Sequence, residues 1–276
     1  MENIKDLFDL TGRVAVITGG TGLLGQQHAE AIARAGGIPV LADIRVDAVD
    51  PRSQEWQERF GVQACAIQTD ITDPASVKRL LASVLDRFGR VDILINNAAN
   101  NPKMENKGNV EFSRLEFFPI EQWEADLNVG LKGAFLCSQV IGSEMARRKR
   151  GVIVNVASDL AVIAPDQRLY RKPGLPEDKQ PVKPVTYSVV KTGLIGLTRY
   201  LATYWADSGI RVNAISPGGV YNNQPDDFVE RLARLIPLGR MANASEYQAA
   251  ILFLCSDASS YMTGSNLVVD GGRSCW

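Results

Sequence analysis

The chain has 276 residues, of which 45% are hydrophobic and 22% charged, a composition that excludes extensive disorder and indicates a globular protein. Its 30 basic and 31 acidic residues nearly cancel, which argues against nucleic acid or an anionic membrane as a partner. The apolar runs end well short of the ~20 residues of a membrane span, and the charged amino terminus does not resemble a secretory signal, so we expect a cytoplasmic protein.

The four cysteines and the single histidine do not suggest a catalytic or metal site. Cys65, Cys137, Cys255 and Cys275 lie far apart without a CxxC pair, which favours free thiols over a disulfide framework or a zinc site. His28 falls within a predicted helix beside a glycine-rich loop, where a structural role is more common than a catalytic one. A Ser-His-Asp mechanism would depend on this histidine alone, so hydrolase chemistry is disfavoured.

Short β-branched runs alternate with helical patterns along the whole chain. Seven strands are predicted, at residues 14–18, 39–43, 63–68, 91–96, 152–157, 211–216 and 266–270. Helical periodicity is found at 23–36, 52–60, 74–88, 121–149, 187–207, 226–236 and 245–256. Continuous apolar runs of this kind are typical of strands covered by helices on both faces. The sequence therefore predicts an α/β fold of Rossmann type, a doubly wound parallel sheet in a single domain over 1–276.

Two segments, 99–120 and 159–186, are too irregular for this alternation, and the second is rich in proline. Both follow the carboxyl ends of strands, the edge at which open α/β sheets bind their ligands. Long loops inside a compact domain usually bind or cover a ligand. We therefore expect the 159–186 insertion to shape a substrate site.

A glycine-rich turn, TGGTGLLG at 18–25, joins the first strand to the first helix. Glycines let the backbone approach a pyrophosphate, whose charge meets the free N–H groups at the start of the helix. Asp43 ends the second strand, where its carboxylate can accept hydrogen bonds from ribose hydroxyls and repel a 2′-phosphate. This favours NAD(H) over NADP(H), although Arg45 leaves NADP(H) open. The residues of the turn expected to contact the dinucleotide are Gly19, Thr21, Gly22, Leu23, Leu24 and Gly25.

The next two strand ends provide further candidates. Asp70 is placed to touch the adenine amino group, with Ile71 beside it, whereas Asp73 before Pro74 is typical of a helix cap. The fourth strand closes with NNAA at 96–99, where asparagine side chains can hold the backbone of a turn beside the cofactor. The candidates in that turn are Asn97 and Ala98.

Tyr187 and Lys191 lie four residues apart at the start of a predicted helix, so both side chains share one face. By itself this YxxxK spacing is common on helix surfaces. The fifth strand, however, delivers Ser158 to the same edge of the sheet, and the predicted helix over 121–149 carries Asn128, which should pack nearby.

Together these residues resemble the short-chain dehydrogenase/reductase family across essentially the whole chain. The matches are TGGTGLLG, Asp43, Asp70, NNAA, Asn128, Ser158, Tyr187 with Lys191, SPGGV at 216–220 and DGG at 270–272. The glycine spacing is closer to the extended branch of the family, whereas NNAA and the absence of a following substrate domain fit the single-domain branch. We therefore expect a single-domain member.

The resemblance implies a role for each of these residues. Tyr187 would be the general acid in reduction and the general base in oxidation, with the Lys191 ammonium lowering its pKa from about 10. Lys191 would also bind the nicotinamide ribose, Ser158 the substrate oxygen, and Asn128 a water that leads to the lysine. The resemblance places a turn against the nicotinamide carboxamide, formed by Pro217, Gly218 and Val220. At position 222, where the family often has threonine, this chain has Asn222.

The substrate is less constrained. Ser158 and Tyr187 are 29 positions apart, more than is usual in the family, because of an insertion with an excess of positive charge. That charge would suit a phosphate or carboxylate, but a solvated loop or a subunit contact explains it equally well. The basic residues are Arg168, Arg171, Lys172, Lys179 and Lys183.

Similarity to dehydrogenases of flagellin-modification and sialic-acid-like sugar pathways is carried by NAANNPK, APDQRLYRK and GGRSCW. It favours a sugar-derived substrate, phosphorylated or nucleotide-linked. The alternatives are a 3-oxoacyl thioester reductase and a dinucleotide-sensing protein without catalysis, although the short, polar segment 221–228 is unlike an acyl lid. Apolar residues on more than one side of the helices over 121–149 and 187–207 indicate a homodimer or homotetramer.

Overall fold

The computed structural model describes residues 3–46, 51–100 and 113–276, and within these ranges seven strands form one sheet. Its order is β3-β2-β1-β4-β5-β6-β7 and every neighbouring pair is parallel, which confirms the predicted doubly wound fold. The strands are β1 (Val14–Thr18), β2 (Ile38–Asp43), β3 (Cys65–Gln68), β4 (Ile93–Asn96), β5 (Gly151–Val156), β6 (Ile210–Pro217) and β7 (Asn266–Val269). The chain reverses its direction of travel across the sheet between β1 and β4, so a crevice opens at their carboxyl ends.

The described helices agree with the predicted ones to within a few residues, apart from the segment 121–149. They are α1 (Leu23–Arg34), α2 (Pro51–Phe60), α3 (Pro74–Phe88), α4 (Ile120–Leu127), α5 (Gly133–Cys137), α6 (Ser143–Arg147), α7 (Val185–Tyr204), α8 (Asp226–Ala233) and α9 (Gln248–Cys255). Asp73 caps α3 as predicted, because its carboxylate accepts hydrogen bonds from the Ala75 and Ser76 amides.

The segment 121–149 is one helical path rather than one regular α-helix. Two π-helical stretches, Asn128–Lys132 and Ser138–Gly142, separate α4, α5 and α6. Glycines let this path lie close to its neighbours: a Cβ on Gly130 would come within 2.5 Å of Val190 in α7, and one on Gly142 within 2.5 Å of Trp205. A single π-helical turn changes the spacing of apolar residues only slightly. The periodicity of the sequence therefore did not reveal the two π-helical stretches.

The core lies on both faces of the sheet, because alternate residues of each strand point to opposite sides. In β1, Val14 and Val16 pack on the side of α3, α5 and α7, and Ala15 and Ile17 pack on the side of α1 and α9. The insertion contributes a third, smaller cluster in which Leu169 packs against Leu232. No helix in the described ranges is both long enough and apolar enough to cross a membrane.

Candidate active site

The side chains of Ser158, Tyr187 and Lys191 meet at the carboxyl edge of the sheet. Ser158 follows β5, whereas Tyr187 and Lys191 lie in the first two turns of α7. The Tyr187 hydroxyl lies 3.4 Å from Ser158 Oγ, and Lys191 Nζ donates a 2.7 Å hydrogen bond to the carbonyl of Val156, the last residue of β5. This bond fixes the lysine beside the tyrosine, with Nζ 5.9 Å from the ring centroid. Three residues predicted to act together are therefore adjacent.

Burial dominates the electrostatics of this group. It raises the pKa of Tyr187, and the negative charge of Asp159 raises it further. Burial lowers the pKa of Lys191 to about 8, helped by repulsion from a second ammonium, that of Lys183. Lys183 Nζ stands 3.8 Å from the centroid of the Tyr187 ring, and burial lowers its pKa to about 8 as well. Two ammonium groups thus flank one phenol.

Asn128 begins the first π-helical stretch and lies near this group without joining it. Among the described residues, its side chain makes no direct hydrogen bond with Ser158, Tyr187 or Lys191. The same π-helical stretch contains Gly130, which packs against Val190. Val190 lies in α7 between Tyr187 and Lys191.

A cleft of about 620 Å³ runs along the carboxyl ends of β1, β2, β3 and β4. Ten residues predicted to contact the dinucleotide line it: Gly19, Thr21, Gly22, Leu23, Leu24, Asp43, Asp70, Ile71, Asn97 and Ala98. Gly25, which was also predicted to contact the dinucleotide, does not line the cleft. It supports the turn from behind, since a Cβ on Gly25 would lie 2.1 Å from the Gly19 carbonyl oxygen.

The turn itself has the form that a pyrophosphate requires. Gly19 adopts a left-handed conformation, φ +61°, and a Cβ there would lie 2.9 Å from Ala98 Cα. As predicted, asparagine holds this turn: Asn97 Nδ2 donates to the carbonyls of Thr18 and Gly19 at 3.0 and 3.1 Å. Gly22 begins α1 without a side-chain cap, so the first amides of the helix remain available to an anion.

Two carboxylates face the same cleft. Asp43 accepts hydrogen bonds from the Thr21 hydroxyl at 2.7 Å and the Thr21 amide at 3.2 Å. Asp70 similarly accepts from the hydroxyl and amide of Thr72 at 2.7 and 2.8 Å. An acceptor at the end of β2, a second at the end of β3 and the uncapped start of α1 after β1 fit the ribose, the adenine and the pyrophosphate of a dinucleotide, in that order.

A second cavity, of about 330 Å³, adjoins the cleft and shares Leu23, Leu24 and Asn97 with it. Ser158, Tyr187 and Lys191 line this cavity. The predicted nicotinamide turn lines it too, with Asn222 beyond it, and its members are Pro217, Gly218 and Val220. These three candidate catalytic side chains therefore lie where a dinucleotide in the cleft would end.

Comparison with known proteins agrees with this geometry. Residues 13–170 match the family model described as short chain dehydrogenase, and residues 179–274 match a second model, described as enoyl-(acyl carrier protein) reductase. The chain belongs to the short-chain dehydrogenase/reductase family. It is accordingly an oxidoreductase that acts on CH–OH groups with a nicotinamide dinucleotide.

Relatives in this family are similar over nearly their whole length. The NAD-dependent glycerol dehydrogenase of Listeria innocua is 34% identical over 96% of this chain and 95% of its own. The NADP-dependent mannitol dehydrogenase of Alternaria alternata is 32% identical over 98% and 95%. A gluconate 5-dehydrogenase from Burkholderia cenocepacia, solved with NADP and tartrate, superposes with a TM-score of 0.86 at 26% identity, over 99% of this chain and all of that one.

Most of the basic residues of the insertion fit the solvated loop that was one of the two alternatives for it. Arg168 pairs with Asp166 at 2.8 Å, and Arg171 pairs with Glu177, both on the surface. Lys172 and Lys179 are exposed and do not line the cavity. Of the five basic residues, Lys183 is the one that lines it. Arg168 and Arg171 are therefore held by acidic neighbours on the surface, and Lys183 contributes its charge to the cavity.

Two residues that the sequence did not single out complete the short-chain dehydrogenase site. Asp159 follows Ser158 directly, and Arg273 follows the terminal DGG turn; they form a 2.7 Å ion pair at the cavity wall. The positive φ angles of Gly271 and Gly272, +68° and +89°, turn the chain so that Arg273 points back into the site. The sequence offered one signal for these two residues: each is a charged residue that directly follows a part of the chain that resembles the family. Asp159 follows Ser158, and Arg273 follows DGG at 270–272.

His28 lies in α1 behind the glycine-rich turn and is fully buried. Desolvation lowers the pKa of its imidazole to about 3, so it stays neutral at physiological pH. It does not line either cavity described above. This placement fits the structural role expected for it.

Proposed function

We propose that the protein interconverts a hydroxyl and a carbonyl group on a sugar-derived, polyhydroxylated substrate, with NAD(H) as its cofactor. The observation that carries the proposal is the adjacency of Ser158, Tyr187 and Lys191 in the cavity where the dinucleotide cleft ends. A bound nicotinamide supplies or accepts the hydride. The chain's own residues hold the substrate and move the proton.

Tyr187 has the position of the proton donor and acceptor. In oxidation the substrate hydroxyl proton passes to the Tyr187 oxygen, and in reduction the same oxygen returns a proton to the carbonyl. Ser158 binds the substrate oxygen beside it. Lys191, with a pKa of about 8, is mostly charged at neutral pH and favours the phenolate. Asn128 is proposed to hold a water on the path to the lysine.

The preference for NAD(H) rests on Asp43. Its carboxylate lines the cleft at the end of β2, where it suits ribose hydroxyls and repels a 2′-phosphate. Arg45 lines the same part of the cleft, and relatives use either cofactor, so NADP(H) is the alternative. The ratio of kcat/KM measured with NAD(H) to kcat/KM measured with NADP(H) distinguishes the two possibilities.

The substrate class is supported by the relatives and by the cavity wall. Two of those named above are dehydrogenases of glycerol and mannitol, which are polyols. The polar segment 221–228 contributes Asn222 and Gln224 to the wall, and such amides suit hydroxyl groups. Lys183 in the same wall would suit a phosphorylated or nucleotide-linked sugar. The second candidate, a 3-oxoacyl thioester reductase, is favoured by the match of residues 179–274 to an acyl carrier protein reductase model.

The decisive experiment follows nicotinamide absorbance with NAD(H) and NADP(H) over a panel of polyols, sugars, sugar phosphates, nucleotide-linked sugars and a 3-oxoacyl thioester. We expect turnover of a polyhydroxylated compound, reduced at least about 1000-fold by Tyr187→Phe because the variant cannot exchange the proton. Turnover of the thioester alone would replace the sugar proposal. Tight NAD(H) binding with no turnover of any compound would indicate a sensor.

We also propose that the protein is a homodimer or homotetramer. In α7, Leu194 and Leu201 are buried, but Tyr200 and Tyr204 are 63% and 65% exposed and stack with ring centroids 5.7 Å apart. A paired aromatic surface of this kind favours association. Light scattering is the test, with Tyr200→Glu expected to reduce the oligomer. The cytoplasmic location stays a prediction.

A further inference from the structure

The cavity that holds the proposed catalytic residues carries more positive than negative charge. Four charged side chains of the described residues line it: Asp159, Lys183, Lys191 and Arg273. Asp159 and Arg273 neutralise each other in a 2.7 Å ion pair, and the second oxygen of Asp159 accepts a hydrogen bond from the Leu160 amide at 2.8 Å. The ammonium groups of Lys183 and Lys191 therefore give the described wall a net positive charge.

Lys191 has a task in the proposed reaction, whereas Lys183 has none so far. Lys183 Nζ stands 3.8 Å from the centroid of the Tyr187 ring, closer than Lys191 Nζ at 5.9 Å. An ammonium at this distance is attracted by the negative face of an aromatic ring. Because the same ring carries the hydroxyl that exchanges the proton, Lys183 lies close to the reacting part of a bound substrate.

The backbone that carries Lys183 is fixed before α7 begins. The Val182 amide donates to Ser113 Oγ at 3.1 Å, and the Lys183 amide donates to Gln167 Oε1 at 2.8 Å. Pro184, which precedes the first turn of α7, disfavours a helical conformation for Lys183. A cation on a fixed backbone loses less conformational freedom when it binds an anion, so this position suits a ligand contact.

The chemistry of the position favours a carboxylate over a phosphate. A carboxylate carries one negative charge, as Lys183 carries one positive charge, whereas a phosphate is usually bound by several donors, often arginines or the amides of a helix start. Arg273, the one arginine among the described residues that line the cavity, is paired with Asp159. The amides of Asn222 and Gln224 in the same wall suit hydroxyl groups of the same molecule.

We propose that Lys183 binds a carboxylate of the substrate, and that the substrate is a polyhydroxylated acid whose reacting carbon lies close to that carboxylate. This inference deepens the proposed function and rests on it for the reaction. The reacting alcohol loses a hydride to the nicotinamide and a proton to Tyr187, Ser158 binds the reacting oxygen, and the carboxylate is unchanged. Lys183 thus determines which class of polyhydroxylated compound is accepted.

A bound carboxylate also affects Lys191. The positive charge of Lys183 lowers the pKa of Lys191 by repulsion. A carboxylate beside Lys183 offsets this repulsion and keeps more of Lys191 in its charged form, which favours the Tyr187 phenolate. A neutral polyol lacks this effect, so the acid gains in the chemical step as well as in binding.

The first measurement is kcat/KM with NAD for an acid and the polyol with the same carbon skeleton, threonate with threitol and gluconate with glucitol. We expect the acid to be preferred, and Lys183→Met to lower the ratio of acid to polyol by about 10- to 100-fold, the value of a charge-assisted hydrogen bond. Lys183→Arg should retain most of the preference, because it keeps the charge. Lys179→Met, which alters an exposed lysine of the insertion, is the matched control and should leave the ratio unchanged.

Three results would contradict the assignment. They are a preference for the polyol in both pairs, a ratio that Lys183→Met does not lower, and a larger effect of Lys183→Met on glucitol 6-phosphate than on gluconate. The last result would make the ligand of Lys183 a phosphate.

The second measurement is independent of turnover. Calorimetry follows threonate and gluconate binding to the protein saturated with NADH, in which the alcohol cannot be oxidised. We expect Lys183→Met to raise the dissociation constant of the bound acid at least about tenfold and Lys179→Met to leave it unchanged. If neither acid binds, or if Lys183→Met does not weaken binding, the inference is wrong. Binding that depends on Lys183 in a protein that turns over no compound would contradict the proposed function and leave the carboxylate site standing.

Discussion

The two halves of the site are built by different means. The cofactor half consists of residues at the ends of β1, β2, β3 and β4, and its contacts join backbone groups to short side chains of adjacent strand ends, as between Asn97 and the carbonyl of Gly19. The substrate half depends on side chains brought together from distant parts of the chain, such as Asp159 with Arg273 and Tyr170 with Phe228. The sheet itself therefore determines the arrangement of the cofactor half. The arrangement of the substrate half depends on particular side chains, which can differ between substrates.

The largest expected effect is in the substrate half. Arg273→Met leaves the Asp159 carboxylate buried without its partner, and we expect a loss of about 3–5 kcal/mol in the free energy of unfolding. The measurement is urea denaturation at neutral pH. Arg171→Met is the matched control, because the Arg171–Glu177 pair is exposed and its loss should change stability by less than about 1 kcal/mol. Equal effects of the two substitutions would show that burial of the pair has no consequence.

In the cofactor half, Gly25→Ala tests the backbone construction. The new Cβ would overlap the Gly19 carbonyl, 2.1 Å away, so the turn must shift, and we expect NAD(H) affinity to fall at least about a hundredfold. Gly196→Ala in α7 is the control, since no atom lies within 4 Å of its Cβ and alanine stabilises a helix by about 0.5–1 kcal/mol. The test is a calorimetric measurement of the NAD(H) dissociation constant for both variants. Unchanged affinity in Gly25→Ala would contradict the geometry.

A smaller change is expected from Asp43→Asn, which removes a charge from the cofactor half but keeps its shape. Without the repulsion, discrimination against NADP(H) should fall by roughly tenfold, as the ratio of kcat/KM values for the two cofactors. Folding should be unaffected, because the amide oxygen can still accept from Thr21. An unchanged ratio would assign cofactor choice to Arg45 instead.

The smallest effect concerns the pH dependence of stability and belongs to the substrate half. Lys191 has a pKa of about 8 in the folded state, below the 10.5 usual for lysine, so between these values the unfolded chain binds more protons. Its burial therefore penalises folding most below pH 8, and the free energy of unfolding rises with pH above it. Lys191→Met should remove about 1 kcal/mol of the rise between pH 8 and about 9.

Lys78→Met, which alters an exposed lysine, should leave that rise in place. Denaturation curves at the two pH values provide the comparison. A wild-type stability that does not change over this interval would show that Lys191 is already neutral, or remains charged, throughout.

The same division explains what the sequence could predict. Strand ends are adjacent in a parallel sheet whatever the loops do, so Asp43, Asp70 and Asn97 could be assigned from position alone. A strand end and a helix face brought Ser158, Tyr187 and Lys191 together in the same way, whereas the roles predicted for them came from the family resemblance. Arg273 could not be assigned, since its contact with Asp159 depends on two left-handed glycines and on the docking of β7. Nor could local pairing in the insertion be foreseen from its composition, as Arg168 with Asp166 shows.

The partner of Asp159 is made late during synthesis. The carboxylate leaves the ribosome 114 residues before the guanidinium that neutralises it, and six of the seven strands precede β7. A nascent chain can thus form most of its sheet while the serine's surroundings are incomplete. We therefore expect the ion pair beside Ser158 to form after the nucleotide cleft, because it requires β7 and the turn that follows it to dock.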